Sequence, residues 1–330
     1  AQAILGLYQF TFKVGPEGFL LFDGRFLRAY GTFAQPNPYA GYLGLVLPLA
    51  LSLTVWKFSD GRWQIADSKG RIAEDELGHQ SAIYNLLSTI FYPLSLGLML
   101  VALFASQSRA AWLGFGVAAV VTLGLSSKKM AVILVVLALI GTIFGLAGSF
   151  DWGLINTSFV SQRFAEAISI AAISDIGAIE VNDANFATIE RLAHWQAARE
   201  MWRDHPWLGV GFGNYAVVYP LYAVGRWLDP LGHAHNYLLN IGAEAGLVGI
   251  TIYLIFWILT FRVSLLALKH RQSFYRAVVA GGIGILVHLQ IHNFFDNLYV
   301  QGMYLHLAVV LALISIIYQC HQTKSIKESS

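Results

Sequence analysis

"YLLNIGAEAGLVGITIYLIFWILTF", residues 237–261, carries a single charged side chain, Glu244. About 20 apolar residues in a helix cross the roughly 30 Å of a hydrocarbon core, so this run reads as a membrane span. Comparable runs occur at 38–56, 84–105, 110–126, 130–149, 277–296 and 301–319. Composition agrees: 56% of the 330 residues are hydrophobic and 12% charged, against about 25% charged in soluble domains. The reading is an all-α, polytopic helical membrane protein. Ala1 opens inside an apolar segment without an initiator Met or a basic leader, so residues 1–12 read as the end of a truncated span.

Lys and Arg concentrate in one alternating set of short connections, including Lys57, Arg62, Lys128, Lys129, Arg262, Lys269 and Lys324. The other set holds Lys13, Arg25, Arg28 and Arg109. Cationic loops stay in the cytoplasm, which predicts a cytoplasmic C-terminus in a bacterial inner membrane. Three regions follow: N-terminal transmembrane helices at 1–149, a long extracytoplasmic loop at 150–236, and C-terminal transmembrane helices with a cytoplasmic tail at 237–330. A net charge of +2 speaks against a nucleic-acid partner, and the single Cys320 excludes a disulfide framework or a cysteine-based metal site.

Within the long loop, 157–172 and 187–204 read as helices. Ile189, Leu192, Trp195, Ala198 and Trp202 recur at helical spacing, an apolar face suited to a membrane surface. "DHPWLGVGFGN" (204–214) then breaks the helix. Its glycines resemble a phosphate cradle, but no strand precedes them and no Lys-Ser/Thr follows, so a nucleotide site is rejected.

Ionisable groups gather where the chain enters the 237–261 span. His233 and His235 have the spacing of a His-x-His metal pair, but the sequence places no further His or Cys beside them, so no metal is expected. Asn236 suits the N-cap of the span, leaving His235 as a candidate general base near neutral pH. Asn240 and Glu244 continue the Asn236 stripe and should face protein, not lipid. Gly242 and Gly246 form a small-xxx-small face for close helix approach. His288, His292 and Asp296 recur at spacing four, as a relay or as a packing network. Arg109, in "SQSRAAWLG" (106–114), is either a snorkelling arginine or a cation at a cavity mouth. Arg191 is either a solvated helix residue or half of an anion clamp, since the guanidinium fork binds phosphate bidentately.

Several stretches together resemble the O-antigen ligase/polymerase superfamily of bacterial membrane glycosyltransferases. His235-Asn236, nine residues, then Gly246-Leu-Val-Gly249 is similar to the family's signature. "ERLAHWQAAREMWRDHPWLGVGFGNY" (190–215), "SQSRAAWLG", "RAYGTFAQPNPYAGYL" (28–43) and "HNFFDN" (292–297) look like its other segments. The resemblance implies a metal-independent transferase without cofactor. It moves a glycan from a polyprenyl-pyrophosphate donor to a hydroxyl acceptor on the outer face of the inner membrane. In this reading His235 is the base, and Arg109, Arg191, Arg28 and Asn236 bind substrate. His233, Glu244, His292 and Asp296 support from behind. Membrane lipid is the remaining partner. The alternative is a membrane transporter, with bicarbonate as the candidate substrate, whose homologues share the pattern. The His-x-His-Asn motif favours the transferase, because a transporter has no obvious need for a base there.

Overall fold

The computed structural model of the protein describes residues 1–21, 24–59, 76–127, 129, 132, 181 and 185–329. The expected span at 130–149 and helix at 157–172 lie outside the described residues. The described elements are α1 (Gln2–Phe12), a short hairpin of β1 (Leu20–Leu21) and β2 (Phe26–Leu27), α2 (Pro36–Gly44), α3 (Leu47–Ser59), α4 (Glu76–Ala105) and α5 (Arg109–Ser126). They continue with α6 (Phe186–Asp204), α7 (Tyr215–Val218), α8 (Tyr237–Ala267), α9 (Ser273–Asn293) and α10 (Met303–Ser329). Among the described residues, six stretches are long and apolar enough to cross a membrane: Pro36–Ser59, Leu87–Ala105, Arg109–Ser126, Tyr237–Ala267, Ser273–Asn293 and Met303–Thr323. The protein is an all-α, multi-pass membrane protein. Phe91 and Ile252, each 63% exposed, typify the bare apolar flanks of these helices, which suit lipid.

The chain divides into two compact units. One comprises Ala1–Leu134, Ile258–His292 and Leu298–Ser330; the other comprises Val135–Trp257 and Asn293–Asn297. In the first unit, small residues let backbones approach closely. A Cβ on Gly281 would stand 2.7 Å from the Leu49 Cα. His288 is fully buried against Gly44 and Gly114, where an added Cβ would collide with its ring. His288 and His292 lie 5.4 Å apart, centroid to centroid. Their stripe stops there: α9 ends at Asn293, so Asp296 sits in the following turn and belongs to the second unit. The expected helical continuation from 288 through 296 is thus corrected.

The second unit is organised by α6. Its buried residues are Ile189, Ala193, His194, Ala197, Ala198 and Met201. The buried face is rotated from the expected one, leaving Leu192, Trp195 and Trp202 only half-buried. Alanines permit close packing against Tyr215, Tyr219, Ala234 and Ala243, which the bulky tryptophans would not. The apolar face therefore packs mainly against protein.

Candidate functional site

Two chain breaks build the site's frame. Inside α8, Gly246 adopts φ 60°, ψ −156°, a conformation essentially restricted to glycine. The break orphans backbone groups that lipid cannot satisfy. The Gly-rich turn after α6 supplies the partners. Leu247 N–H donates to Pro206 O at 2.8 Å and Val248 N–H to Trp207 O at 3.2 Å. In return Val210 N–H donates to Ala243 O at 2.8 Å, and Gly211 N–H to Glu244 O at 3.0 Å. Gly209, at φ +64°, is required by proximity: its Cβ would stand 2.3 Å from Glu244 C. The turn's N–H groups at 210 and 211 are thus engaged by helix carbonyls. Gly242 does meet a neighbour closely, since its Cβ would lie 2.9 Å from the Trp202 ring, but Gly246 is a hinge point and not a helix-packing position. Both glycine motifs therefore serve one backbone junction.

The polar stripe at the start of α8 does capping work. Asn236 Oδ1 accepts from Leu239 N–H at 3.0 Å, the bond expected of an N-cap. Asn240 Oδ1 accepts from Ala234 N–H at 3.0 Å, and Glu244 Oε1 from Tyr215 N–H at 3.0 Å. All three side chains are buried. They hold the loop ahead of the helix in a set path.

That path presents His235. Its backbone is left-handed, φ 51°, which costs a non-glycine residue about 1–2 kcal/mol. The strain is held from both sides: His235 N–H donates to His233 Nδ1 at 3.1 Å, and Trp195 Nε1–H donates to His235 O at 3.2 Å. Both His235 ring nitrogens are buried and lack a hydrogen-bond partner among the described residues. Nδ1 lies 3.4 Å from Asp296 Oδ1, beyond ordinary hydrogen-bond length but within strong Coulombic reach. The sequence left His233 and His235 without a third metal ligand nearby. The fold supplies one, and ligand atoms of His233, His235 and Asp296 all lie within 4.8 Å of one another.

A third histidine was missed. His194 is buried on α6, stacks on Tyr219 at 4.6 Å, meets Tyr215 Oη at 3.0 Å and stands 5.6 Å from the His235 ring. Its signal was a lone polar residue amid the alanine stripe. Burial, helped by His235 and His233, lowers its pKa to about 4. Burial likewise lowers that of His233 to about 4, so both imidazoles are neutral at neutral pH. Glu190 was also missed. Burial raises its carboxyl, opposed by the charges of His235 and Arg191.

The arginines divide between the units. Arg191 shares the unit of His235; its Nη1 donates to Ala187 O at 3.0 Å, and its Nε is buried without a hydrogen-bond partner among the described residues. Arg28, Arg109 and His292 belong to the other unit. Arg28 braces its loop, donating to Ser106 O at 2.9 Å and Asn37 Oδ1 at 2.8 Å. Arg109 is exposed as the first residue of α5, beside the buried Ser108.

Spans with exposed apolar flanks, a helix broken at a glycine, and a half-buried His–Asp cluster together define a multi-pass membrane protein with a built polar site. Residues 94–254 match the family described as O-antigen ligase. The match takes in Arg109, Arg191, His233, His235 and Glu244, and ends before Asp296. Comparison with curated proteins gives no match.

Proposed function

We propose that the protein transfers a glycan from a polyprenyl-pyrophosphate donor to a hydroxyl acceptor at the outer face of the bacterial inner membrane. The observation that carries this reading is His235: a backbone-strained residue whose buried ring nitrogens lack hydrogen-bond partners among the described residues and face a carboxylate. The Asp296 carboxylate favours the tautomer protonated on Nδ1, which leaves the Nε2 lone pair to act as base. Nε2 takes the acceptor hydroxyl proton. The oxygen forms a bond to the anomeric carbon as the bond to the pyrophosphate oxygen breaks, inverting that carbon. Polyprenyl pyrophosphate leaves with the electron pair. Asp296 is a positioning residue that stabilises the imidazolium.

Arg109 and Arg191 are assigned to the pyrophosphate. A cation in the first turn of a helix is opposed by the helix dipole, so Arg109 gains nothing from its own helix. An anion at that terminus would be welcomed by the dipole and the guanidinium together. Ser108 Oγ, buried there without a hydrogen-bond partner among the described residues, adds a donor. Arg191→Lys and Arg109→Lys are each expected to insert and fold normally yet to lose roughly ten- to a hundredfold in transfer rate, about 1.5–3 kcal/mol per charge-assisted contact. Arg28→Lys should be milder. Small, additive losses in the Arg109/Arg191 double variant would instead identify two headgroup anchors.

In this mechanism arginines supply the charge stabilisation that a metal supplies elsewhere. Transfer is expected to continue in EDTA at an undiminished rate. Loss in EDTA with recovery on magnesium or manganese would remove the arginine clamp. The direct test of the reading is incubation of purified protein with a polyprenyl-pyrophosphate glycan and candidate acceptors. A ladder of products would mean a polymerase and a single transfer a ligase; no product with any hydroxyl acceptor would count against the proposal.

A further inference from the structure

We propose that His233, His235 and Asp296 form a binding site for a zinc-type divalent cation, and that occupancy withdraws His235 from catalysis. The second half rests on the function proposed above; the first rests on geometry alone. Zinc sits about 2.0–2.2 Å from imidazole nitrogen and carboxylate oxygen, so tetrahedral ligand atoms stand about 3.3–3.5 Å apart. His235 Nδ1 and Asp296 Oδ1 already stand 3.4 Å apart. The full set lies within 4.8 Å, so closure asks for shifts of roughly 1 Å to reach that geometry.

The donors select the ion. Two imidazoles and one carboxylate suit zinc and its neighbours, whereas magnesium and calcium demand oxygen. Both ring nitrogens of His235 are buried and lack a hydrogen-bond partner among the described residues, a condition that a buried polar group rarely tolerates without a role. His233 must give something up. Its Nδ1 now accepts the His235 N–H, so it ligates either by surrendering that bond or through Nε2 after a change of tautomer. Of the neighbouring charges, Asp296 and Glu190 favour a cation and Arg191 opposes it.

Silencing follows from imidazole chemistry. A metal on Nδ1 forces the ring's remaining proton onto Nε2, which then has no lone pair for the acceptor hydroxyl. A metal on Nε2 occupies that lone pair directly. In either geometry the base is lost while the ion stays.

The test uses the full chain in lipid nanodiscs, stripped with chelator and titrated calorimetrically with zinc chloride. One zinc per chain is expected, with magnesium giving no saturable binding. His233→Ala, His233→Gln and Asp296→Asn should each weaken zinc binding by more than the roughly 10–100-fold typical of losing an outer-shell partner. Thermal melting verifies that each variant is folded. Absence of saturable zinc binding, or binding unmoved in a folded variant, overturns the site. In the transfer assay zinc should stop the wild type, while His233→Ala should resist zinc relative to its own zinc-free rate. Zinc that accelerates transfer overturns the silencing. If the function itself is misassigned, the zinc-free wild type shows no transfer at all, and the binding titration still decides the site.

Discussion

His235→Ala is expected to lower glycan transfer by about a hundredfold or more, the usual loss on removing a general base, while the protein still folds and binds donor. The structural grounds for intact folding are specific. The imidazole makes no hydrogen bond within the described residues, so truncation breaks none. The two bonds that hold the residue in place use its backbone N–H and carbonyl, and alanine keeps both. Alanine at φ 51° carries the same left-handed strain as histidine. His233→Ala removes the acceptor for the His235 N–H and should cost much less, through looser positioning. Asp296→Asn should fall between, because a neutral amide cannot stabilise the imidazolium. Single-turnover rates with a polyprenyl-pyrophosphate glycan separate these outcomes. Equal losses at His233 and His235 would sink the single-base assignment.

Gly246→Ala is expected to be the most damaging structural substitution. At φ 60°, ψ −156° any side chain costs about 1–3 kcal/mol. The added Cβ would also lie 2.4 Å from the Trp207 carbonyl carbon, and backbone cannot yield as a side chain can. Relief requires parting the turn from the helix, which endangers the four junction hydrogen bonds, each worth about 0.5–1.5 kcal/mol net and more if left buried and unmade. Gly213→Ala is the control. Its φ is +80° but nothing lies within 4 Å of the new Cβ, so only the left-handed penalty of about 1–2 kcal/mol applies. Thermal unfolding in detergent should show a far larger drop for Gly246→Ala. Similar drops for the two would mean that the junction contributes little beyond backbone strain.

The polar loop shows how legibility falls with distance along the chain. Asn236 was readable as an N-cap because a cap is a bond to a residue three positions away. The stripe of Asn240 and Glu244 was readable as protein-facing for the same local reason, yet what each holds was not, since Glu244 reaches Tyr215. On α6 the helical period was right and its phase wrong, because several faces of that helix carry apolar residues. Which face is buried depended on whether alanines or tryptophans met Tyr215 and Tyr219.

Sequence alone determined the membrane-spanning class, since lipid demands long uncharged helices whatever packs against them. It also singled out His235 and the glycine spacing beyond it, because these are short-range patterns. Only the tertiary structure decided that Gly246 breaks its helix, that the Gly-rich turn caps that break, and that His194 and Asp296 converge on His235. These are contacts between segments far apart in the chain, set by where the backbone turns back on itself. Periodicity, which reads windows of about 11–18 residues, carries no record of them.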